Sequence, residues 1–406
     1  MKKIKMFIRL SVLALPILFS LQSCSVEVDV DEVINIDSNF GSLQNWDLLA
    51  TVSKNQIRNL VNQDEPALAP IIANRDLRDL KIYKITYNTT NVEGNSITAS
   101  GLVIVPKHSL NLPLVSFQHG TIFTNDDAPS SYNTKKLATV FAMVLASTNY
   151  VVIMPDYLGY GASNDYPHPY EHRETLGSAS FDMLMAVKVN LEYIDDLILN
   201  DKLFITGYSE GGYATMALHK HIEENSNLEI TMSAPASGAY NKSGFFQQMM
   251  RLNEDFNYPG SAMWVVDSYN TNYTLNRSWE AIVNEPYATT MEGISSPFDY
   301  INADIAKNPQ DLYTTEFREG LINGTDFEYL NAIADNDLFD WAPIYPITLY
   351  YASEDNWVFP LNSETAYESM IANGANVSKV IYEGEDHFSA GILYVQDVFE
   401  LFESHR

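Results

Sequence analysis

Six short, almost unbroken apolar runs leave this chain few ways to fold. They lie at 112–117, 150–154, 202–206 and 230–234, and resume at 346–351 and 379–382. Runs of this length suit strands covered on both faces, because a strand with one wet face would alternate polar and apolar residues. Between them lie amphipathic segments with helical spacing, 134–147 and 177–194, and a further helix is expected over 213–224. Strand and helix in alternation imply crossover units, hence an α/β architecture with a mostly parallel central sheet and helices on both faces. Upstream the pattern differs. Apolar residues have helical spacing from 46 to about 76, then alternate over 81–87 and 96–106 around the turn-rich Asn91-Val92-Glu93-Gly94-Asn95, which marks a hairpin.

The strand pattern lapses over 239–342, about a hundred residues and far longer than an ordinary connection. Such a stretch should carry structure of its own. It is rich in aromatic and methionine residues (Phe245, Phe246, Met249, Met250, Met263, Trp264 and others) with helical spacing in several places. We expect a helical cap over the carboxyl edge of the sheet, inserted before the penultimate strand, with the main domain built from 46–238 and 343–406. The apolar cap residues could line an acyl or aromatic pocket, or could equally form the cap's own core.

Gly207-Tyr208-Ser209-Glu210-Gly211 is the only Gly-x-Ser-x-Gly in the chain, and it follows one expected strand and opens one expected helix. A sharp strand-to-helix turn strains the backbone at the serine, and glycines on either side remove clashing side chains. Ser209 would then sit at a helix N-terminus, where free amides, that of Glu210 first, can stabilise a developing oxyanion. A hydroxyl nucleophile needs a base. If the order is serine, acid, histidine, only His387 and His405 lie late enough, and His405 is penultimate, where termini fray. His387 follows the run at 379–382 and is the candidate. His219 and His221 fall on the helix after Ser209, and His108 in a turn. The acid should follow the run at 346–351, where Glu354 and Asp355 both stand. Asp386, next to His387, cannot easily turn back onto it and reads as a loop or capping residue. Gln118-His119-Gly120-Thr121 follows the run at 112–117, where a second oxyanion donor is expected, and His119 reads as a buried scaffold residue.

Taken together, these features resemble the α/β-hydrolase superfamily, and within it the secretory lipases of the fungal lipase A type. The residues that carry the resemblance run from about 80 to 390: the hairpin ending at Pro106, Gln118-His119-Gly120, Pro155-Asp156-Tyr157-Leu158-Gly159-Tyr160-Gly161, His168-Pro169-Tyr170, the segment 207–211, Asp355 and His387. The resemblance implies the α/β-hydrolase fold, with a lid formed by the insertion between the sixth and seventh strands. It favours Asp355 over Glu354, since Asp355-x-x-Val358-x-Pro360 is similar to the family's acid loop, and it places the second oxyanion donor at the amide of Thr121. The implied activity is hydrolysis of small-molecule or lipid carboxylic esters by a Ser209, His387 and Asp355 triad, with no metal and no cofactor. Fungal members rely on disulfides that a chain with one cysteine cannot form.

That cysteine sits at the end of a targeting segment. Lys2, Lys3, Lys5 and Arg9 precede an apolar stretch, 10–21, too short to span a bilayer, which ends in Leu21-Gln22-Ser23-Cys24 and resembles a bacterial lipobox. We expect a signal peptide over 1–23, lipidation of Cys24, an acidic tether over 24–45 and a lipid-anchored place in the envelope of a Gram-negative bacterium, on the outer membrane or cell surface. Loss of 1–23 takes the net charge from −28 to −32. A field so acidic repels phosphate backbones, which excludes nucleic acid as a partner. Three rival functions remain: a serine aminopeptidase, in which cap acids such as Glu254 and Asp255 bind the substrate amine; an acyl esterase of decorated glycans; and a hydrolase-fold binding module without activity.

Overall fold

The structure is a computed structural model that describes residues 41–108, 111–195 and 197–406. The expected signal peptide, Cys24 and most of the expected tether lie outside the described residues. Nine strands form one sheet: β1 Leu43–Val52, β2 Leu80–Thr90, β3 Ser96–Pro106, β4 Leu112–Gln118, β5 Val151–Pro155, β6 Leu199–Tyr208, β7 Met232–Ala236, β8 Ile347–Ala352 and β9 Val377–Tyr382. Their spatial order is β1-β2-β3-β5-β4-β6-β7-β8-β9. The first three are antiparallel to their neighbours, whereas β5, β4, β6, β7, β8 and β9 run parallel.

The reason lies in the side chains. Every residue of β4 is buried, and alternate ones serve opposite faces. Val115 and Phe117 join one core with the helices Lys54–Asp64, Leu137–Ser147 and His387–His405. Leu112 and Leu114 join another with the helices Arg173–Asp195 and Glu210–Asn225. Each such buried aliphatic or aromatic side chain contributes about 1.5–3 kcal/mol, which explains why the runs are mostly apolar and admit small hydroxyl residues such as Ser116 and Ser233.

The expected helix from residue 46 is corrected at its start. Residues 43–52 form β1, and the helix begins only at Lys54, after Ser53, whose side chain accepts from the Gln56 amide in a capping box. β1 is an edge strand with two register shifts against β2, between Leu43 and Asn45 and between Leu48 and Ala50. Each bulge inserts a residue and reverses which side chains face inward, so period-two alternation is lost. The last three residues of the expected tether, 43–45, therefore belong to the sheet. The hairpin at Asn91 to Asn95 is present, closed by the Asn91 side chain accepting from the Asn95 amide at 2.8 Å.

Between β7 and β8, the expected sixth and seventh strands once β1 is added to the count, the chain forms a helical cap, principally Lys242–Met250, Pro259–Asn272, Thr315–Ile322 and Phe327–Asp335. Their starts are written locally: Asn241, Thr314 and Asp326 accept from backbone amides as N-caps, and Pro259 occupies a first turn. Phe246, Met249, Met263, Trp264, Phe317 and Ile333 make a separate core. Of the two expected uses of the apolar cap residues, self-packing accounts for most. Phe298 and Phe327 are exceptions, each more than half exposed.

Candidate active site

β6 ends at Tyr208 and the next helix begins at Glu210, which leaves Ser209 alone to turn the chain, at φ 61° and ψ −125°. Its amide donates to the Ala236 carbonyl at 2.9 Å. The turn is tight because its flanks touch backbone: a Cβ on Gly207 would lie 2.3 Å from the Gly211 carbonyl oxygen, and one on Gly211 would lie 2.2 Å from that of Gln118. Ser209 is thus held at the N-terminus of a sixteen-residue helix.

His387 opens the final helix, and Asp386 caps it, accepting from the amides of Phe388 and Ser389 at 3.0 and 2.8 Å. That capping turns the imidazole inward. Its Nε2 lies 2.9 Å from Ser209 Oγ and its Nδ1 lies 2.6 Å from Asp355 Oδ2. A carboxylate only accepts, so Nδ1 carries the hydrogen and Nε2 is free to accept from the hydroxyl. Asp355 is fixed in turn, its Oδ1 accepting from the amides of Trp357 and Val358 at 3.0 and 2.8 Å. Glu354 points to solvent. The Tyr208 hydroxyl donates to the His387 carbonyl at 2.6 Å, and burial holds that phenol well above its ordinary pKa, so it remains a donor.

An imidazole held between a hydroxyl and a carboxylate can take the hydroxyl's proton during attack on an electrophile. Beside it, an apolar cavity of about 340 Å³ is lined by Gly120, Thr121, Phe123, Ser209, Trp357 and Phe388, among others. Thr121 therefore borders the same space as Ser209, and its hydroxyl meets that of Tyr170 at 3.0 Å. His119 is buried, stacked on Tyr157 at 4.1 Å and bonded to the Gly120 and Asp156 carbonyls. His219 is buried against Glu223, while His108 and His405 are exposed, remote from Ser209 in role and bonding.

Near Ser209 lies a set of buried polar side chains that the motifs announce only in part. The Glu210 carboxyl meets His168 Nε2 at 2.8 Å, and His168 Nδ1 donates to the Leu158 carbonyl at 2.6 Å. Glu171 pairs with Lys242 of the cap. Burial pushes the Glu171 carboxyl up and the Lys242 ammonium down, and each charge draws the other back. His168 and Tyr170 stand in a segment distinctive in sequence, but nothing there hints at Glu171 or Lys242. Trp357, inside the acid loop, reaches the cap: its ring stacks on Tyr258 at 4.1 Å and its Nε1 donates to Ser261 at 3.0 Å.

A mostly parallel sheet, a serine at a strained strand-to-helix turn and a helical insertion before β8 give the chain the α/β-hydrolase fold. Among solved structures it is similar to a Legionella pneumophila protein provisionally assigned as a hydrolase, at 27% identity and TM-score 0.78, covering 89% of this chain and 98% of that one. It is also similar to the rice cell wall degrading esterase LipA from Xanthomonas oryzae, at 23% identity and TM-score 0.77, covering 90% and 99%. Candida antarctica lipase A shares the fold more distantly, at 17% identity and TM-score 0.61, covering 86% and 77%. No family model matches the sequence, and no curated protein does.

Proposed function

We propose that the protein is a serine hydrolase that cleaves carboxylic esters through an acyl-enzyme. His387 Nε2 takes the Ser209 proton as Oγ bonds to the ester carbonyl carbon, and Asp355 holds and stabilises the imidazolium. The amides of Glu210 and Thr121 receive the oxyanion. Collapse breaks the carbon–oxygen bond to the alcohol, whose oxygen takes the proton back from His387. Water, deprotonated by the same imidazole, then attacks the acyl carbon, and Ser209 leaves with its proton restored.

The observation that carries this reading is the single imidazole bonded to both Ser209 Oγ and Asp355, at 2.9 and 2.6 Å. An apolar cavity beside it supports an ester with an apolar part. The aminopeptidase alternative has less support, since Glu254 and Asp255 are exposed and border neither cavity at Ser209. The test is hydrolysis of nitrophenyl esters, acetate to palmitate, by the protein starting after Cys24, beside Ser209→Ala. Turnover should fall by at least about 10⁴-fold in the variant. A folded wild type without turnover would point to a peptidase or a binding module instead.

We also propose that Cys24 is lipidated and anchors the enzyme in the cell envelope, on the strength of Leu21-Gln22-Ser23-Cys24 after an apolar stretch. In a Gram-negative host, an alkyne-palmitate label should enter the wild type and not Cys24→Ala. Labelling of both would refute the anchor.

A further inference from the structure

Ser209 stands between two cavities of unequal size. The larger, about 340 Å³, is lined by Phe117, Phe123, Leu137, Trp357 and Phe388 and borders both Ser209 and His387. The smaller, about 30 Å³, lies under the cap between Tyr170, Glu171, Phe245, Ala262 and Val265, and borders Ser209 but not His387. By the measure in which one water needs about 10–15 Å³, the smaller holds roughly two heavy atoms.

We propose that the small cavity receives the acyl substituent and the large one the alcohol, so that the preferred substrates are acetyl or propionyl esters of bulky apolar alcohols. This rests on the ester-hydrolase reading and assigns its substrate class. The chemistry sets the orientation. The general acid must protonate the departing oxygen, so the alcohol has to lie within reach of His387 Nε2, which faces the large cavity. The acyl substituent, directed away from the imidazole, meets the cap. Its walls are poorly placed to yield. Tyr170 is stacked on Trp264 at 4.0 Å and bonded to Thr121 at 3.0 Å. Val265 belongs to the cap core, and Glu171 is occupied by Lys242. A longer alkyl chain would have to displace packed rings and lie against a desolvated ion pair.

The experiment compares kcat/KM of the full chain for 4-nitrophenyl acetate, propionate, butyrate and octanoate, and separately for phenyl and 4-phenylphenyl acetate. The expected result is a fall of at least about ten-fold from propionate to octanoate, and a gain of about ten-fold from the phenyl to the 4-phenylphenyl ester. Val265→Ala and Phe245→Leu open the small cavity from two sides. Either one that folds, judged by circular dichroism, should raise the octanoate-to-acetate ratio by at least about ten-fold. A wild type that prefers octanoate, or a ratio unmoved in a folded variant, overturns the assignment while leaving the esterase reading intact. Absence of any hydrolysis that depends on Ser209 overturns both.

Discussion

Ser209 pays for its position: a side chain at φ 61° and ψ −125° costs about 1–3 kcal/mol, and packing around it must supply that. The approach of the Gln118 carbonyl to Gly211 is part of this packing. Gly211→Ala would force backbone apart at the turn, and we expect a loss of about 3 kcal/mol or more in urea unfolding, with activity falling alongside. The acid is separable by substitution. Asp355→Asn should lower kcat by about 10³–10⁴-fold, whereas Glu354→Gln, at an exposed side chain, should leave kcat within about two-fold; equal losses in both would reopen the choice between them. That Ser209 and His387 meet could be read from spacing and order along the chain, because a Gly-x-Ser-x-Gly turn and a late histidine leave few candidates. Asp355 and Glu354 are neighbours of like chemistry that spacing alone leaves open; the resemblance of the acid loop favours Asp355, and it is Asp355 that meets His387 Nδ1 while its Oδ1 takes two amides. Glu171 and Lys242 meet across 71 positions of sequence, with no spacing rule to connect them.

At the level of elements, legibility followed burial. β4, covered on both faces, shows as an apolar run, and Asp386 reads correctly as a cap because capping is local. From residue 46 β1 reads as helix, because its two bulges erase alternation and leave Leu48 and Leu49 exposed on an edge. The helix Arg173–Asp195 carries another buried acid. Burial raises the Asp182 carboxyl to about 7 from its ordinary 3.8. The folded state therefore holds this proton more tightly than the unfolded chain does. Its contribution to stability is complete below pH 3.8 and is lost as pH rises toward 7. Asp182→Asn should remove this slope: its melting temperature should gain on the wild type between pH 5 and pH 8 in thermal scans. Parallel curves would show that Asp182 is ionised throughout.

For the molecule as a whole, a net charge of −28 opposes compactness through self-repulsion that salt screens. Raising NaCl from 20 to 500 mM at neutral pH should raise the melting temperature by about 2 °C or more; a fall would mean that attractive ion pairs, such as Arg277 with Asp326 in the cap, outweigh the repulsion. The cap has its own core, yet it is not independent of the machinery beneath it. Trp357 offers its amide to Asp355, and its ring to Tyr258 and Ser261 at the start of a cap helix. A cap lifted to admit a large guest must either break that stack or drag the acid's loop with it. One side chain thus ties the cap to the carboxylate that holds the imidazole, and a strain on the Trp357–Tyr258 stack is transmitted to Asp355.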